Sequence, residues 1–150
     1  MCGTSDYMSP ELVLDTGHHH CVDWWALGVL TYELLTGVTP FNTDNDLYSS
    51  MLLGIIDWPE TMDPLARDLI KRLLVSDCKK RLGHGDDASV RDHKLFISVD
   101  WSEVEARRLT PPIIPKMTHD GDTRNFEQFS DPQWSNDTLS TEELRLFQDF

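Results

Sequence analysis

Residues 21–36, CVDWWALGVLTYELLT, constrain the fold more than any other stretch. Val22, Trp24, Trp25, Ala26, Leu27, Val29, Leu30, Tyr32, Leu34 and Leu35 leave almost no polar face on a helix. A helix that is apolar all round has to be surrounded. Gly37 supplies a stop, because glycine accepts the left-handed conformation that ends many helices. The other readable helices are few and mostly one-sided. Two expectations follow: the chain self-associates, or it packs against elements outside these 150 residues. The abrupt opening on a loop favours the second.

The remaining pattern is also helical, so the expected fold class is mainly α. NDLYSSMLLG predicts a helix with Asp44 or Asn45 near its start. DPLARDLIKRLLV is the cleanest case. Asp63 is a natural N-cap and Pro64 suits the first turn, and Leu65, Leu69, Ile70, Leu73 and Leu74 form an i, i+4 apolar stripe. Short helices are expected over 89–95 and 102–108, and a loop over 1–20. From TPPIIPK onward the pattern changes, because proline lacks the amide hydrogen and restricts its predecessor. The rest reads as an extended acidic tail with aromatics scattered singly.

Charge narrows the function. Asp and Glu total 26 against 13 Lys and Arg, a net charge of -13, which argues against nucleic acid or an anionic membrane as partner. It suits a basic partner or basic peptide; solubility alone is the plain alternative. No apolar run approaches the ~18 residues of a membrane span and no signal peptide opens the chain, so cytoplasm or nucleus is expected. Cys2, Cys21 and Cys78 are widely spaced without a C-x-x-C, which suggests neither zinc nor a disulfide framework. They read as unremarkable thiols. His18, His19 and His20 read as a solvated loop rather than metal ligands.

CGTSDYMSPE followed by VDWWALGVLTYELLTGVTPF resembles the end of the activation segment and the central helix of eukaryotic protein kinases. Asp77 and Arg81 in SDCKKRLG resemble that family's D-x-x-x-R element. GDTRNFEQF and the terminal FQDF resemble the tail of the AGC kinases, most like the cyclic-AMP-dependent branch. The resemblance covers essentially the whole chain. It implies the second half of a kinase: a partial large lobe over 1–96 and an AGC tail over 97–150, with the small lobe and catalytic loop absent.

The resemblance also assigns roles. Thr4 would support the catalytic loop through its hydroxyl. Glu11 would pair with Arg81 to pin the substrate loop to the helical lobe. Asp23 would hold the backbone of the catalytic loop, although a first-turn aspartate is also favoured by the helix dipole alone. Glu33, a carboxylate on an apolar helix, would receive a substrate arginine, with Asp6 adding acidic contact, and a structural ion pair is the alternative. Met8 and Leu12 would line an apolar pocket for the residue after the acceptor. Phe126 would close over the adenine of ATP, and Phe129 stands at a substrate-side position where some relatives have tyrosine. Tyr48 would help dock a cyclic-AMP-binding regulatory subunit, or is merely a surface tyrosine. Phe147 and Phe150 match the hydrophobic motif, which a phosphoinositide-dependent kinase could also bind. Thr138 matches a tail phosphorylation site, with Ser135 and Ser140 as competitors.

The sequence holds no Gly-rich phosphate loop, V-A-I-K lysine, H-R-D-L or D-F-G motif. Arg91-Asp92 has neither the preceding histidine nor the following asparagine. The complete family enzyme uses ATP and Mg2+ on basic protein substrates. The 150 residues alone are expected to bind neither cofactor and to transfer no phosphate. The rival expectation is a non-catalytic binding module or a truncated product.

Overall fold

The computed structural model describes residues 4–41, 47–130 and 139–146. Chain contacts separate two units, Met1–Leu109 and Thr110–Phe150. Among the described residues the regular structure is helical, and there is no strand.

In the first unit, α1 (Pro10–Val13) follows a 3-10 turn at Ser5–Tyr7. The expected loop over 1–20 therefore carries two short turns, because Pro10 fixes a helical φ at the first position. The apolar segment forms α2 (Cys21–Thr36), and Gly37 ends it at φ 81°. α3 is Leu47–Leu53, and the candidate caps Asp44 and Asn45 lie outside the described residues. α4 is Pro64–Leu73; the Asp63 carboxylate accepts from the amides of Leu65 and Ala66. A 3-10 turn at Cys78–Lys80 is capped by Asp77.

The helix expected over 89–95 is instead two pieces, α5 (Ala88–Arg91) and a 3-10 turn at Lys94–Phe96. His93 breaks it. Its backbone is extended, its Nδ1 accepts from the Leu95 amide, and its Nε2 lies 3.0 Å from Asp68 Oδ2. A ring that accepts at Nδ1 donates from Nε2 when neutral, so His93 ties α4 to this turn. α6 (Trp101–Glu105) starts on the Asp100 cap and stops before Arg107, whose φ is 55°.

The core of this unit forms where α2 meets α4. Trp25, Val29 and Tyr32 pack with Phe41, Met51, Ile70 and Leu74, and Trp25 stacks on Phe41 with ring centroids 5.5 Å apart. Gly28 lets the two helices touch, since a Cβ there would lie 2.9 Å from Leu73 Cβ. A second cluster joins Leu69, Leu73 and Val90 to Trp24, Leu27, Leu82, Leu95 and Phe96.

α2 is thus covered on one side only. On the covered side Trp25 is wholly buried, and Trp24 and Leu27 are half-buried. The bare apolar side chains are Leu30, Leu34 and Leu35, with Leu34 77% exposed. The sequence pattern alone could not say which arc of an all-apolar helix would be covered.

In the second unit, the Asp122 carboxylate gathers the amide and hydroxyl of Thr118 and the amide of Arg124, all within 3.1 Å. The tail is extended through 130 but contains α7 (Thr141–Arg145). Ser140 and Glu143 form a reciprocal capping box there. This S-x-x-E signal was present in the sequence and was missed.

Candidate functional site

The 3-10 turn at Ser5–Tyr7 lies against α2 and puts two carboxylates near one phenol. The Tyr7 hydroxyl donates to Glu33 Oε2. Asp6 accepts from Thr39 Oγ1 at 3.2 Å and from Ser5 Oγ at 3.4 Å. The hydrogen bond to Glu33 holds the Tyr7 phenol above its ordinary range, and burial and the charges of Glu33 and Asp6 add to the shift. Glu33 is half-buried, so it is not the isolated buried carboxylate that an apolar helix implied. Its partner, Tyr7, went unnoticed in the sequence. Tyr7 spends one lone pair of Glu33 and leaves the other oxygen for a cationic group. Two carboxylates beside one hydroxyl make an acidic cluster on this face.

Behind this face lies a buried charge pair. Arg81 Nη1 donates to Glu11 Oε1 at 2.7 Å, and Nη2 donates to Oε2 at 2.9 Å. Arg81 is fully enclosed and Glu11 nearly so. Arg81 also donates to the carbonyls of Cys21 (2.8 Å) and Val75 (3.0 Å). Its guanidinium lies 5.1 Å from the centroid of Trp25. Burial pushes the Glu11 carboxyl up, but hydrogen bonds led by Arg81 outweigh it and hold the group below its ordinary value. One side chain thereby fastens α1, the start of α2 and the loop after α4.

Met8 and Leu12 are half-buried beside this pair's segment, and Thr4 is exposed. Asp23 is exposed in the first turn of α2. It lines an open recess of about 350 Å³ with His20, Trp24, Leu27 and Asp87. Among the described residues no side chain bonds to its carboxylate. Tyr48 sits on α3, 38% exposed. Phe126 and Phe129 are exposed in the second unit. Thr138, Phe147 and Phe150 lie outside the described residues. The structure therefore brings Asp6, Glu33 and Tyr7 together, and Glu11 with Arg81. It also places Cys21 near Cys78 and His84, a grouping that spacing alone gave no reason to expect.

Comparison with known proteins adds a family. The family described as "Protein kinase domain" matches residues 1–96. The whole chain is 43% identical to cAMP-dependent protein kinase catalytic subunit 3 of Drosophila melanogaster, of which it spans 27%. It is also 43% identical to cAMP-dependent protein kinase catalytic subunit PRKX of Homo sapiens, spanning 43% of that protein. The Dictyostelium discoideum cAMP-dependent protein kinase catalytic subunit is 39% identical over the whole chain, which spans 24% of it. The chain thus spans less than half the length of these relatives.

Proposed function

The chain belongs to the protein kinase family, and from that membership we propose that residues 1–96 are part of a kinase large lobe and residues 97–150 an AGC-type tail. The activity is that of a serine/threonine kinase of the cyclic-AMP-dependent type, acting on basic protein substrates in cytoplasm or nucleus. Kinases of this family use ATP and Mg2+, which groups outside these 150 residues would hold. The 150 residues contribute substrate recognition and transfer no phosphate by themselves.

The observation that carries this reading is the pair of carboxylates around Tyr7. Glu33 takes the guanidinium of a substrate arginine and Asp6 strengthens the field, in keeping with the chain's net charge of -13. Met8 and Leu12 offer an apolar contact for the neighbouring substrate residue. Thr4 and Asp23 support the catalytic loop, and the bare arc at Leu30, Leu34 and Leu35 meets another part of the protein or a second protein. Phe126 closes on adenine. Tyr48 contributes to a regulatory-subunit surface. Phe147 and Phe150 dock on a small lobe, in cis or on a phosphoinositide-dependent kinase, and phosphorylation at Thr138 orders the tail.

The test is binding of an arginine-containing peptide to the chain, followed by fluorescence anisotropy. Glu33→Gln keeps the Tyr7 hydrogen bond and removes the charge. A charge-assisted hydrogen bond contributes about 1.5–3 kcal/mol, so affinity falls between roughly 10- and 150-fold. A lysine-free, arginine-free control peptide is unaffected. Equal binding of the arginine peptide by parent and variant refutes the assignment of Glu33.

A further inference from the structure

Cys21, Cys78 and His84 are far apart in sequence and converge in the fold. Cys21 opens α2 and is buried; Cys78 opens the turn after Asp77 and is half-exposed; His84 follows on the same loop and is exposed. Both thiols are free. The two sulfur atoms and an imidazole nitrogen all lie within 4.8 Å of one another. The surrounding backbone is held firmly. Arg81 bonds the Cys21 carbonyl, the Asp77 carboxylate accepts from the Lys79 amide at 3.1 Å, and the His84 amide donates to the Arg81 carbonyl at 3.1 Å.

We propose that Cys21, Cys78 and His84 form a site for one borderline-soft divalent cation of the zinc class. Two thiolates and an imidazole are a donor set that favours zinc over the oxygen-seeking magnesium and calcium. Tetrahedral zinc takes sulfur at about 2.3 Å and nitrogen at about 2.0–2.1 Å, so its donors stand roughly 3.5–3.8 Å apart. Closing from 4.8 Å needs about 1 Å of side-chain movement, and the exposed sides of Cys78 and His84 have room for it. On binding, each thiol gives its proton to solvent and the sulfur lone pair goes to the metal. Cys21 now points its S–H at Glu11 Oε1, 3.7 Å away; the cation replaces that proton. Both Glu11 oxygens are engaged by Arg81, so water fills the fourth position. The ion ties the start of α2 to the 78–84 loop beside the Glu11–Arg81 pair. This role is structural and separate from the magnesium of phosphoryl transfer.

The test uses the reduced 150-residue chain and two readouts. Zinc competition against a chromophoric chelator is expected to give one equivalent per chain. Cobalt substitution is expected to give a strong thiolate charge-transfer band with the visible spectrum of a tetrahedral site. Removing a direct ligand costs more than the 10–100-fold typical of outer partners, so Cys78→Ser weakens zinc by over about 100-fold. His84→Asn weakens it by at least about 10-fold. Cys2→Ser, and replacement of His18, His19 and His20 together by Gln, leave it unchanged. The parent's cobalt spectrum decides the matter even if a variant fails to fold. The proposal is overturned by a weak octahedral cobalt spectrum, by zinc binding that survives Cys78→Ser, by binding that follows the histidine run, or by a Cys21–Cys78 disulfide that forms in preference to zinc uptake.

Discussion

Arg81→Met isolates the pair that holds the first unit together. Methionine keeps an unbranched apolar stem, is shorter than arginine, and removes the charge and every donor. It leaves the Glu11 carboxylate enclosed without its two hydrogen bonds of 2.7 and 2.9 Å, and takes the Arg81 donor from the carbonyls of Cys21 and Val75. Breaking a buried ion pair from one side costs about 3–5 kcal/mol, because the surviving charge stays buried. For a chain of this length each kcal/mol lowers Tm by about 2–4 °C. The expected fall is therefore roughly 6–20 °C, read by intrinsic tryptophan fluorescence, to which the buried Trp25 contributes, during heating or in urea. A cycle with Glu11→Gln separates the pair from lost packing. With the carboxylate already neutral, Arg81→Met leaves no bare charge, so the double variant is more stable than the sum of the singles by at least about 1 kcal/mol. A Tm shift under about 2 °C for Arg81→Met, or single effects that add within about 0.5 kcal/mol, refutes the reasoning.

The same pair sets an acid limit. Glu11 is held below its ordinary value, so its contribution to stability is complete above the unfolded value of about 4.3 and is lost as pH falls through the lower folded value. Parent and Glu11→Gln urea midpoints should converge as pH drops below about 4; a gap that stays constant contradicts this. Gly28→Ala gains up to about 1 kcal/mol of helix propensity. The new Cβ, however, meets Leu73 Cβ and Leu74 Cδ2, each at 2.9 Å, and overpacking costs about 1–3 kcal/mol. Tm should fall, and a rise would show that α2 and α4 separate easily. Ser9 is fully buried; its hydroxyl faces the Glu11 carboxylate and helps to hold it below its ordinary value, but among the described residues no hydrogen bond of good geometry closes on that oxygen. Ser9→Ala should leave the urea midpoint unchanged or raise it by the equivalent of about 1 kcal/mol, and a clear loss would reveal a hydrogen bond to that hydroxyl.

What could be read from the sequence was what local chemistry decides. Asp63 and Pro64 start α4 because a carboxylate caps free amides and a proline needs none. Gly37 ends α2 because it accepts φ 81° without strain. The break at His93 was not legible, since it depends on Asp68, 25 residues away, to hold the ring. Nor was the side of α2 that would be covered. That helix has almost no polar arc to mark the outside, and the close approach of α4 comes at Gly28.

The candidate site divides along the same line. Glu33 stood out because a carboxylate on an apolar helix needs a reason, but nothing local named Tyr7 as its partner across 26 residues. The link from Glu11 to Arg81, 70 residues apart, entered through resemblance to a family and not through spacing. Cys21, Cys78 and His84 had neither route: no spacing rule joins them, and no motif brings the three together. Yet one junction places the last two sets. Arg81 bonds Glu11 on one side and the carbonyl of Cys21 on another, so the buried pair that positions the start of α2 also brings its cysteine to the 78–84 loop. The zinc ion of the proposal and the ion pair brace one junction. Zinc should then recover part of the stability lost in Arg81→Met, and a Tm of that variant unchanged by zinc would separate the two.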